Sequence, residues 1–198
     1  MKKTYFILLI SLLLSACSKD VMDRTVFIPD EDDARLPAYT EWGYNSFGAE
    51  YERDYFLVSQ HIIPCKITYN SNLHQLQFAL IGTSYYNNYN KEMSLLFIFP
   101  STQINDFKDL MPLNNVAIDL SSNDCTVKIV IDGNETILST VSGELYFKRA
   151  QLLRIDDQVN RVILSGIFDI RFLHNGLPST ISNGRFDMGI TNNVFYSY

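Results

Sequence analysis

The stretch RVILSGIFDIRF, residues 161–172, repeats with a period of two. Val162, Leu164, Phe168, Ile170 and Phe172 fall on one side with Gly166 in the series, while Ser165, Asp169 and Arg171 fall on the other. Successive side chains of a strand point to opposite faces. The pattern therefore predicts a strand with one buried and one largely wet face, as in an antiparallel sheet. The same reading applies to Val127, Ile129 and Ile131, to Leu76, Phe78 and Leu80, and to Phe186, Met188 and Ile190. MSLLFIF, residues 93–99, is apolar on both faces and predicts a central strand.

Reversal signals separate these runs. Asn175-Gly176 tolerates positive φ at both positions and predicts a tight hairpin, Asp132-Gly133-Asn134 reads the same way, and Asp156-Asp157-Gln158 marks another turn. Strands following one another up and down are expected. Only STQINDFKDLM, residues 101–111, breaks the period: Ser101 is a candidate cap, and Ile104, Phe107, Leu110 and Met111 have helical spacing, which predicts one short helix near 102–111. SGELYF, SGIFDI and NGRFDM share a glycine followed by apolar residues two apart, centred on Gly143, Gly166 and Gly184. Glycines in strands mark bends and bulges where a sheet curls. The expected fold is all-β: an antiparallel, strongly twisted two-sheet sandwich, with a closed or partly open up-and-down calycin-like barrel as the alternative.

The chain begins with Lys2 and Lys3, an apolar run from Tyr5 to Leu14 interrupted only by Ser11, and the small pair Ser15-Ala16 before Cys17. Charged, apolar and small-residue regions in that order predict a secretory signal. The run is shorter than the ~20 residues needed to span a bilayer. Leu14-Ser15-Ala16-Cys17 resembles the lipobox of bacterial lipoproteins. That resemblance implies cleavage before Cys17 and acylation of the cysteine, with membrane attachment through its lipid. Several acyl chains on one residue hold far more firmly than the marginal binding of a single chain. Ser18 after the cysteine resembles lipoproteins sent to the outer membrane, and the Lys19-Asp20 cluster resembles a surface-export signal of Bacteroidetes lipoproteins. ISNGRFDMGITNNVFYSY, residues 181–198, is also similar to the carboxyl-terminal part of small Bacteroidetes lipoproteins of uncharacterised function. The implied organisation is a signal at 1–16, a lipidated acidic linker at 17–37 and one β-domain at 38–198.

Removing the signal leaves 14 basic against 22 acidic residues, a net charge of about −8. A negative chain without a basic stripe lacks the Lys and Arg that neutralise phosphates, so nucleic acid is excluded as an expected partner. Asp30-Glu31-Asp32-Asp33 reads as a solvated linker rather than a calcium loop, because no central glycine follows the acidic positions.

His61, His74 and His174 are scattered and lack metal-ligand spacing, and no nucleophile-elbow or phosphate-loop motif is present. No cofactor, metal or catalytic residue is expected. Cys65 shares a face with Ile67 and Tyr69, and Cys125 with Val127, Ile129 and Ile131, so both thiols should point inward. They are read either as a disulfide pair in an oxidising compartment or as two buried free thiols. Trp42, Tyr44 and Phe47 are expected in the first strand and its packing. The candidate contact loop is SYYNNYNK, residues 84–91, where Tyr85, Tyr86 and Tyr89 interleave with Asn87, Asn88 and Asn90. Rigid aromatic faces beside amides suit recognition of a glycan or a protein. The functional expectation is a non-enzymatic binding lipoprotein of the outer membrane, facing the periplasm or the cell surface, with a structural or assembly subunit (fimbria-like or envelope scaffold) as the alternative and a small-ligand carrier or a glycan-acting enzyme behind it.

Overall fold

The computed structural model describes residues 24–59, 63–85, 89–101 and 103–198. The fold is all-β, with twelve strands among the described residues: β1(Ser46–Tyr51), β2(Asp54–Val58), β3(Cys65–Asn70), β4(Gln75–Ser84), β5(Lys91–Pro100), β6(Val116–Asp119), β7(Thr126–Ile131), β8(Asn134–Ile137), β9(Ser139–Ile155), β10(Gln158–His174), β11(Leu177–Ile190) and β12(Phe195–Ser197). They pair in the order β6-β9-β10-β11-β1-β2-β4-β5-β7-β8, with β3 also on β4 and β12 on β3. The ends β6 and β8 do not meet. The sheet therefore stays open, which rules out the closed-barrel alternative.

The sheet folds over on itself instead. Phe78 on β4 meets Phe147 on β9 at 5.6 Å and Phe186 on β11 at 4.9 Å between ring centroids, and Phe97 on β5 meets Phe168 on β10 at 5.3 Å. These strands are not neighbours in the ladder, so the rings join two layers of a sandwich around one aromatic core. Edge-on and tilted ring pairs of this kind add to the gain from burial alone.

Residues 161–172 form most of β10. Val162, Leu164, Phe168, Ile170 and Phe172 are all buried, as the period predicts. The opposite face is wet only in its second half, at Asp169 and Arg171. Ser165, Ile163 and Arg161 are buried too. Part of the reason is that residues 39–45 cross that face, with Gly43 lying against Ile163.

The glycine echo is structural. Gly166 on β10 pairs with Phe186 on β11, and Gly184 on β11 pairs with Phe168 on β10, so each Gly-x-Phe places its glycine opposite the other's ring. Gly166 also pairs with Phe147 on β9, and the Phe147 and Phe186 rings meet edge-on at 5.7 Å. The left-handed bulge residue on β11 is Asn183, at φ 52°, rather than Gly184; its N–H donates to Asp169 Oδ1 at 3.1 Å.

Three hairpins turn on two residues with positive φ, at Asp132-Gly133, Asp156-Asp157 and Asn175-Gly176. The strands do not simply run up and down in sequence. β1 joins β11, β6 joins β9, and β12 lies parallel to β3. The helix also differs from expectation: it is a 3-10 segment at Phe107–Leu113, capped by Asp106 rather than Ser101. Asp106 accepts from the Lys108 N–H while Asp109 accepts from the Asp106 N–H, a reciprocal capping box that fixes the start five residues later.

Candidate functional site

Cys17 lies outside the described residues. The described part of the expected linker packs on the body. Leu36 is buried, the Ala38 N–H donates to Ile28 O at 2.7 Å, and the Val26 N–H donates to Tyr44 O at 2.8 Å. The acidic quartet takes part in holding this strap. Asp30 accepts the Asp32 and Asp33 N–H groups and pairs with Arg185 on β11. Asp33 binds Arg35 through both oxygens, at 2.9 and 3.1 Å, and accepts the Tyr55 hydroxyl at 2.9 Å. Backbone N–H donors hold the Asp30 carboxyl below its usual range, and the Arg35 guanidinium does the same for Asp33.

The strap ends in a second clasp. Asp187 on β11, buried to 1% exposure, accepts from Thr40 Oγ1 at 2.6 Å, Gly43 N at 2.7 Å, Trp42 N at 3.0 Å and Tyr44 N at 3.2 Å. Four donors on one carboxylate offset the cost of burying a charge. Trp42 stands on this loop 70% exposed, outside β1, and so differs from its expected role in core packing; Phe47 takes that role.

The 84–91 loop joins β4 to β5, with Ser84 opposite Lys91. Tyr85 is 39% exposed and Tyr89 69% exposed, at the ends of two ten-residue strands. Tyr86, Asn87 and Asn88 lie outside the described residues. The Tyr85 N–H donates to Tyr55 O at 2.9 Å, which anchors one side of the loop on β2.

Cys65 and Cys125 are free thiols, Cys65 buried and Cys125 half-buried. The disulfide alternative is set aside on topology. β3 and β7 are separated by β4 and β5, roughly 14 Å at the usual strand spacing. Cysteines bridge only when their Cα atoms approach within about 7 Å. Burial raises the pKa of both thiols, so neither is primed as a nucleophile. His74 sits in the β3–β4 turn at φ 50°, with its Nδ1 3.3 Å from the Tyr69 hydroxyl; His174 ends β10, and His61 lies outside the described residues. Among the described residues no three His, Cys, Asp or Glu side chains converge as metal ligands.

Sequence reasoning missed a cavity of about 780 Å³ at one end of the sandwich. Its walls come from the strap (Arg24, Phe27), from Val58 at the end of β2 and Ile63 shortly before β3, and from the end of β11 and the following turn (Ile190, Val194). Cys65 faces it as well. These pieces are too far apart in sequence for any local pattern to connect them. The size falls within the usual range of ligand pockets.

The chain matches no protein-family model, no curated protein and no solved structure.

Proposed function

We propose that this chain is an envelope lipoprotein, acylated at Cys17, whose β-domain is a non-enzymatic binding module at the outer membrane. The anchor reading is supported by the order of Lys2-Lys3, the apolar run and Leu14-Ser15-Ala16-Cys17. The binding reading is carried by one observation: Tyr85 and Tyr89 stand exposed at the ends of the paired strands β4 and β5. Aromatic side chains beside the ends of paired strands offer flat faces at low entropic cost, which suits a glycan ring or a protein surface.

A carbohydrate array probed with wild type and Tyr89→Ala tests the glycan form. Selective spots for wild type, weakened about tenfold or more in the variant, are expected; no spot for either protein sinks it. Growth with a radioactive fatty acid tests the anchor, where label on wild type and none on Cys17→Ala is expected. The assembly alternative has one observation on its side: the sheet is open and ends at β6 and β8.

A further inference from the structure

We propose that the cavity walled by the strap, by Val58 at the end of β2 with Ile63 before β3, and by the end of β11 binds a single-chain amphiphile with an anionic headgroup. Among its described lining residues there is one formal charge, the guanidinium of Arg24, and no carboxylate. In a chain of net charge −6, that guanidinium is the group on this lining complementary to an anion. Phe27, Val58, Ile63, Ile190 and Val194 supply the apolar part of the lining, to which the Cys65 thiol adds because burial keeps it protonated, and Thr25, Asn45, Thr191 and Asn193 place neutral polar groups along the rest. An apolar body with a charged head matches that division. At roughly 30 Å³ per non-hydrogen atom, the share a water takes in the liquid, about 780 Å³ holds some 26 atoms. A twelve-carbon chain with its headgroup fits that volume, and a two-chain phospholipid does not.

The cavity is also well placed for such a ligand. Arg24 follows Cys17 by seven residues, at most about 25 Å of extended chain. On the proposed anchor reading, the cavity is held within that reach of a bilayer, where amphiphiles concentrate. The binding chemistry itself does not depend on the anchor.

The test uses the polypeptide 18–198 with anilinonaphthalene sulfonate, an anionic aromatic amphiphile, as the fluorescent probe. Dodecanoate, dodecyl phosphate, dodecyltrimethylammonium and dodecanol are the competitors, each below its micellar concentration. The two anions should displace the probe at concentrations at least about tenfold lower than the cation. Arg24→Gln, at an exposed position on the lining, should weaken the anions about tenfold and leave dodecanol unchanged, whereas Ile63→Glu, also exposed there, should weaken the anions and dodecanol alike. Tighter dodecanoate would assign a free fatty acid, and tighter dodecyl phosphate a phospholipid fragment. Equal competition by anion and cation, or no effect of either variant, overturns the proposal, as does failure of every competitor. Tyr89→Ala should leave these values unchanged, which separates this site from the 84–91 loop.

Discussion

Gly166 shows how much one missing side chain can specify. A Cβ there would lie well inside contact distance of Tyr146 O and 2.7 Å from Phe186 Cζ, so the β9 backbone and the Phe186 ring close over the space that the glycine leaves. Neither neighbour is the loose end of a flexible chain. Gly166→Ala should therefore cost about 1–3 kcal/mol, the usual range for overpacking a tight core, read as a lower urea midpoint at unchanged slope. An unchanged midpoint would mean that the strands can part without loss. Asp187 has the opposite character, a side chain that cannot be spared. Asp187→Ala leaves the N–H groups of Trp42, Gly43 and Tyr44 without their acceptor, at about 1–3 kcal/mol for each that stays buried and unpaired. Trp42 is the sole tryptophan, so its fluorescence anisotropy reports on this loop alone. A drop in anisotropy below the unfolding transition is expected; wild-type anisotropy would show that the loop is held by other contacts.

At the scale of elements, the strands were legible and their coverings were not. Period two exposes β4, β7, β10 and β11 because each buries one face, and the turn pairs stand out because Asn, Asp and Gly accept positive φ. The second face of β10 is different: Ser165 is buried because distant residues cross it, and no local window contains both partners. The acidic quartet was equally opaque, since Asp30 finds Arg185 across 155 residues. That strap should respond to acid. Asp30 and Asp33 have folded-state pKa values below the ordinary carboxylate value near 4. Their contribution is thus fully present above about pH 4 and is lost as pH falls through the depressed values. Amide protection factors at Val26 and Ala38, whose N–H groups bond Tyr44 and Ile28, should fall below pH 4 before those of β10. In an Asp30→Asn, Asp33→Asn double variant, they should already be low at pH 7. Protection that tracks β10 at every pH would show that the carboxylates do not hold the strap.

At the scale of the whole molecule, an open sheet raises the question of what keeps its edges from pairing with another chain. β6 and β8 have four residues each and β12 three, too short to template a long added strand. β9 is longer, with seventeen residues, and β6 covers only Glu144–Phe147 of it. The rest is guarded in other ways. The Ala150 N–H donates to Asn114 Oδ1 at 3.0 Å, and Lys148, Arg149 and Arg154 place three cations along Lys148–Ile155. Like charges facing one another across an added strand would oppose self-association. The polypeptide 18–198 should therefore sediment as a monomer at micromolar concentration. Lys148→Val with Arg149→Thr and Arg154→Val, which gives that edge β-forming residues without charge, should move it towards dimers or larger species. A wild-type chain that already polymerises, and an edge variant no more associated than wild type, would together favour the assembly reading over the binding module.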